Sequence, residues 1–133
     1  MVLTPGQCHE SSQLEKVLDA IRVKRPGGIG RPRKRPDRLI ADKGFSLPGC
    51  RRMLRRRGVP HVIPERRDQR ERRGKRPGRK PSFNKATYAR RNVAERCVNM
   101  LKQWRGIATR YEKRALNYRA AVVIAALMIW LTL

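Results

Sequence analysis

Two basic stretches, each broken by proline and glycine, limit where this chain can form regular structure. Residues 24–38 read KRPGGIGRPRKRPDR and contain Pro26, Gly27, Gly28, Gly30, Pro32 and Pro36. Proline fixes φ and has no N–H to donate, so a segment with three of them holds neither a helix nor a central strand. Residues 66–81 carry nine Lys or Arg up to Lys80, interrupted by Gly74, Pro77 and Gly78. Both stretches read as loops: the first a linker or phosphate-binding loop, the second mobile without a ligand, with an ordinary solvated loop as the alternative. Regular elements must therefore come from the segments before, between and after them.

Those segments have recognisable patterns. Val2 and Leu3 read as the end of a short strand, turning at Thr4–Gln7. Ser12 with Glu15 fits a capping box, and Leu14, Val17, Leu18 and Ile21 give one apolar face, so a first helix is expected over Ser12–Arg22. Leu39, Ile40 and Ala41 form a brief apolar run that delivers Asp42 at the carboxyl end of a buried strand, where α/β folds place their chemistry. A turn or N-cap role for Asp42 is the competing reading. Leu47, Cys50, Met53 and Leu54 predict a second helix over Pro48–Arg57, stopped by Gly58. Its arginines at 51, 52, 55, 56 and 57 suggest a phosphate-facing side. His61, Val62 and Ile63, held between Pro60 and Pro64, predict another short strand.

Charge narrows the partners. The 133 residues include 34 Lys and Arg against 10 acids, a formal charge of +24. Self-repulsion at this density opposes a compact state, and phosphates relieve it, so nucleic acid is the first partner to expect and an anionic membrane surface the second. Cys8, Cys50 and Cys97 are odd in number with no C-x-x-C pair, and His9 and His61 stand apart, so neither a disulfide scaffold nor a zinc site is expected. No signal peptide is visible at the N-terminus, which points to a cytoplasmic protein. Ala120–Leu133 is a 14-residue run without charge. It is shorter than the roughly 20 residues that span a bilayer, and reads as a terminal helix buried against the sheet.

The stretch Tyr88–Lys113 is the most informative. At about 100° per residue, Cys97, Met100, Leu101, Trp104, Ile107 and Ala108 fall within roughly 80° of Val93, an apolar stripe. Trp104 in that stripe reads as core, with base stacking as the alternative. Tyr88, Arg91, Glu95 and Lys102 fall near the opposite side, as a solvated face with an Arg91–Glu95 pair or as something more specific. The pattern of Tyr88, two residues, Arg91, three residues, Glu95, six residues, Lys102 resembles the Y-R-E-K signature of DDE-class insertion-sequence transposases. The flanking RNVAER and LKQWRGIATRY look like that family too, and the ADKGF segment looks like the one carrying its second catalytic Asp.

The resemblance implies an α/β chain with the later part of a ribonuclease H-like fold, a mixed sheet flanked by helices, its opening strands absent. The expected divisions of 1–133 are basic loops at 24–38 and 66–81, the signature helix region at 84–113 and an apolar helix at 120–133. In such sites three carboxylates hold two divalent cations about 3.5 to 4 Å apart and act on a DNA phosphodiester. Magnesium suits oxygen ligands. By resemblance Asp42 and Glu95 would be the catalytic and metal-holding carboxylates, and Tyr88, Arg91, Lys102 and Arg105 the contacts to DNA phosphates. The implied partners are transposon ends and target DNA, further copies of the chain, and an upstream transposase segment.

That last partner is implied because the family's first Asp belongs on an opening strand. Of the four aspartates, Asp19 falls on a helix, Asp37 in the first basic loop and Asp68 in the second, so the chain alone is expected to be inactive. Two local departures from the family pattern are Pro77-Gly78-Arg79-Lys80-Pro81 ahead of the signature, and Asn84 where an Asp often stands. A non-enzymatic basic nucleic-acid-binding protein, or an inactive transposase remnant, is the alternative reading. Attachment to an anionic membrane surface is a third.

Overall fold

The computed structural model describes residues 2–4, 8–75, 78–79 and 81–132. The chain forms two compact units, Val2–Arg90 and the part from Arg91 onward. The expected turn at Thr4–Gln7 and the Pro77–Pro81 motif fall largely outside the described residues.

The first unit is built around a short parallel pair, β1 (Leu39–Ile40) and β2 (His61–Val62), in the register Leu39 to His61 and Ile40 to Val62. Parallel strands need a crossover rather than a hairpin, and helix α2 (Pro48–Arg56) provides it. The Leu39 N–H donates to Pro60 O at 2.8 Å and the Ala41 N–H to Val62 O at 3.2 Å, so the pairing extends one residue to either side. The core consists of Leu14, Leu18, Leu54, Val59 and Ile63, with Ile21, Leu39, Ala41, Phe45, Cys50 and Met53 packed around it. Leu54 and Ile63 are essentially inaccessible.

The α2 terminus shows how sequence becomes geometry. Gly58 adopts φ +61°, its N–H donates to Arg55 O at 3.0 Å, and the Val59 N–H reaches back to Leu54 O at 2.9 Å. This is a Schellman ending, and its apolar contact is the Leu54–Val59 packing in the core. Arg57 then ties the helix end to α1 (Leu14–Asp19), donating to Glu15 at 2.7 Å and Asp19 at 2.6 Å.

Several expectations need correction. Val2–Leu3 is not a strand, because a strand needs a partner backbone and no described residue supplies one. The first helix is shorter than Ser12–Arg22: a 3-10 turn at Glu10–Gln13 leads into α1, and Ser12 Oγ donates to His9 O at 2.7 Å instead of capping. The loop at 24–38 is closed at its base by an antiparallel bridge between Val23 and Arg33, with Gly27, Gly28 and Gly30 at positive φ. The supposed mobile loop at 66–81 contains α3 (Arg67–Gly74). Arg, Gln and Glu are good helix formers, Arg67 pairs with Glu71 one turn on, and Arg73 clasps Glu65 through two bonds of 3.1 and 2.7 Å. Ser46 Oγ donates to Gln69 at 2.9 Å, fixing α3 to the turn that follows β1.

The signature region is not one helix. It forms α4 (Lys85–Ala89), α5 (Asn92–Lys102) and α6 (Arg105–Ala108), followed by Arg110 at φ +53°. At the end of α5 the Gln103 and Trp104 N–H groups bond three residues back rather than four, and Trp104 then turns extended. Gly106, at a helical cost of about 1 kcal/mol relative to Ala, with β-branched Ile107 and Thr109, weakens any continuation.

In the second unit α5 and α6 pack with α7 (Ala115–Leu131). Ile107 and Ala125 are its buried apolar residues, and Tyr118 Oη donates to Ile107 O at 3.2 Å. The expected burial of the C-terminal helix is not provided within this unit. Leu116, Val123, Ile124, Leu127, Met128, Trp130 and Leu131 are exposed, since two short helices cannot cover one that is apolar on every side. Trp104 is likewise surface rather than core, at 41% exposure. Among the described residues no helix is long and apolar enough to cross a membrane.

Candidate functional site

Asp42 follows β1 by one intervening residue, Ala41, at the carboxyl end of a parallel strand. It is also the N-cap of a 3-10 turn at Lys43–Phe45, its Oδ1 accepting the Gly44 N–H at 2.8 Å. The strand-end and capping readings are thus both realised in one side chain, and one carboxylate oxygen is committed to the backbone. Lys43 O accepts from Arg66 Nε at 3.2 Å, which holds the start of α3 against this turn.

Glu95 lies in the first turn of α5, its side chain half exposed, and it accepts from Arg91 Nη1 at the α5 N-cap. Lys102 ends α5 and Arg105 begins α6, both exposed. Lys102 follows Glu95 by seven positions of continuous helix, so these two and Arg91 keep the shared face that the period implies. Tyr88 is in α4, in the other unit, with its ring 5.3 Å from that of Phe83 and tilted by 52°. Asn84 caps α4, its side-chain oxygen accepting the Thr87 N–H at 2.8 Å. Asn caps about as well as Asp, so this departure from the family pattern keeps the local structure.

Asp42 and Glu95 belong to different units. Their oxygens suit magnesium in kind, but not in number: no group of three or more His, Cys, Asp or Glu side chains converges among the described residues. Cys50, half-buried in the core, has its thiol pushed up by burial and is poorly suited to act as a nucleophile.

The sequence reading missed how the α2 arginines divide. Arg51 is buried, 8% exposed, and donates to Ile63 O at 2.7 Å, so it braces the end of β2. Burial lowers its pKa, partly offset by Glu65 and reinforced by Arg55. Together with Arg55, one turn on, it lines a hollow of about 590 Å³ completed by Gly58, Val59, Pro60, His61, Arg79, Pro81 and Ser82. The signal was present in the sequence: residues 51 and 55 share a face four apart, whereas 52 and 56 point about 100° away.

Residues 1–131 match the family described as "Transposase DDE domain", and the chain belongs to that family. A similar protein is "Putative transposase for insertion sequence element IS402" from Burkholderia cepacia, 32% identical over 133 residues, which cover 99% of this chain and 56% of the relative. The chain thus spans a little over half the relative's length. No solved structure matches it.

Proposed function

We propose that this chain is part of the transposase of a DNA insertion element, acting in phosphodiester cleavage and strand transfer at the element's ends. Support comes above all from one placement: Asp42 stands at the carboxyl end of a parallel strand in a chain of the DDE family. Glu95 is the second carboxylate, and Tyr88, Arg91, Lys102 and Arg105 contact DNA phosphates. Arg91 is suited to hold a phosphate through two parallel bonds, whereas Lys102 offers a point charge. A third carboxylate, from a segment outside these 133 residues, completes the site, and further copies of the chain assemble on the DNA ends. Magnesium held by Asp42, Glu95 and that third group would activate the attacking oxygen and stabilise the leaving one.

The test is cleavage and strand transfer on DNA carrying the element's ends, using the transposase that contains this chain. Asp42→Asn and Glu95→Gln each reduce the product by at least about 1000-fold, the scale of losing a principal catalytic group, while duplex binding persists. Cleavage that survives either change defeats the assignment.

The basic stretches at 24–38 and 66–80 support one second reading, a protein that binds DNA without cutting it. It predicts strong salt dependence, a log–log slope of about −0.9 per phosphate neutralised on duplex DNA, and no response to magnesium.

A further inference from the structure

The geometry points to the hollow between α2, the Gly58–Pro60 turn and Arg79, Pro81 and Ser82 as a docking site for the phosphodiester backbone of DNA. The inference rests on the transposase reading above and locates one of its DNA contacts. None of Tyr88, Arg91, Glu95 and Lys102 lines the hollow.

The lining chemistry is one-sided. Arg51, Arg55 and Arg79 contribute guanidinium groups, His61 an imidazole and Ser82 a hydroxyl, and among the described residues no carboxylate lines the hollow. Among those residues the ion pairs engage Arg33, Arg57, Arg67, Arg73 and Arg91, and none involves Arg51, Arg55 or Arg79. Arg51 is held by a backbone carbonyl instead of a carboxylate. Buried cations are ordinarily paired; Arg51 has only the nearby charge of Glu65, itself bonded to Arg73, to offset it, so part of its charge is left for a ligand to compensate. Guanidinium groups pair two-pronged with phosphate oxygens, which suits a backbone better than a point anion.

The carbonyl end of α2 opposes an anion here, with an effective charge of about −0.5. Three arginines bring +3 to the same hollow, so attraction dominates. The cationic surface also continues past the hollow. A Cβ built at Gly58 would lie 3.0 Å from Arg35 Nη1, so the loop at 24–38 lays an arginine over the turn. Lys34, Arg35 and Arg57 line a neighbouring hollow of about 220 Å³ that shares Val59 with the first. At about 590 Å³ the larger one is within the roughly 300–1,000 Å³ range of ligand-sized sites.

The test compares two double variants of the full chain binding a random-sequence DNA duplex across a salt series. Arg55→Gln with Arg79→Gln removes two exposed charges from the hollow; Arg52→Gln with Arg56→Gln removes two from other faces of the same helix. All four positions are exposed, so folding is expected to persist, and circular dichroism verifies it. The first pair should weaken binding about tenfold or more at 0.1 M salt and flatten the log–log slope by about 1.8, or 0.9 for each phosphate no longer neutralised. The second pair should change affinity less than about twofold, because unlocalised attraction is screened over about 10 Å at that salt. Equal losses in the two pairs, or none in the first, overturn the docking site while leaving the carboxylate assignment to its own cleavage test. Failure of the unaltered chain to bind duplex DNA overturns the docking site as well.

Discussion

Arg57 is the residue on which the first unit's electrostatics converge. Its guanidinium bridges Glu15 and Asp19 of α1, and so joins that helix to the end of α2. The hydrogen bond from Arg57 holds the Asp19 carboxyl below its usual value, with the charges of Arg57 and Arg22 acting in the same direction against desolvation. A depressed carboxylate pKa stabilises the fold above the ordinary value of 3.8, and that contribution fades as pH falls through the folded-state value. Arg57 is raised by the same contacts and stays protonated across this range, so the acid loss belongs to the carboxylate. Asp19→Asn should therefore be less stable than the unaltered chain at neutral pH, and the gap should close in acid, as read by urea unfolding at a series of pH values. A gap that stays constant into acid would remove Asp19 from this role. Asp42 teaches a related lesson about legibility. Its position at a strand end and its ability to cap a turn could both be read from ADKGF, and they were compatible because the cap uses one oxygen. Arg51 was only partly legible: its spacing from Arg55 marks a shared face, but that Ile63 O receives its guanidinium depends on the fold.

Elements bounded by strong local signals were legible. Pro48 and Gly58 frame α2, and Pro60 and Pro64 confine β2, so short segments with rigid limits left few alternatives. The signature region lacked such limits, and its apolar period continued across points where the backbone turns. Period reports which side chains share a face if a helix persists; it does not report whether the backbone persists, and at Trp104 it turns extended between α5 and α6. The second basic stretch failed in the opposite sense, because charge density hid the helix-forming residues of α3. The importance of a limit can be measured at Gly58. A Cβ there would approach Arg35 Nη1 at 3.0 Å, but that atom ends a flexible side chain and moves at little cost. The positive φ of 61° is therefore the larger effect. Gly58→Ala should destabilise the fold by about 1–2 kcal/mol, the cost of left-handed backbone for an L-residue. Gly58→Asn should lose less, since Asn tolerates that conformation. A urea midpoint for the Ala variant equal to that of the unaltered chain would show that the Schellman ending is not retained or not needed.

For the whole molecule the governing quantity is an excess of 24 positive charges on 133 residues. Added salt acts on this charge in two opposed ways. It weakens the ion pairs such as Arg57–Asp19 and Arg67–Glu71, most of which are solvent-exposed and individually weak. It also screens repulsion among cations that have no acidic partner, with the Debye length falling from about 10 Å at 0.1 M to about 3 Å at 1 M. With only 10 acids against 34 bases, at most 10 attractive pairs are available while 24 cations remain in excess. Repulsion should therefore dominate, and the thermal midpoint should rise with sodium chloride over that range. Duplex DNA should raise it further at a fixed low salt, by the linkage that gives about 2.7 kcal/mol at 100 times the dissociation constant. Salt must then remove the DNA-induced increment, because the counterions that screen the protein also compete for its phosphate contacts. A midpoint that falls with salt in the absence of DNA would mean that the ion pairs outweigh the repulsion, and the basic surface would then need no polyanion to relieve it.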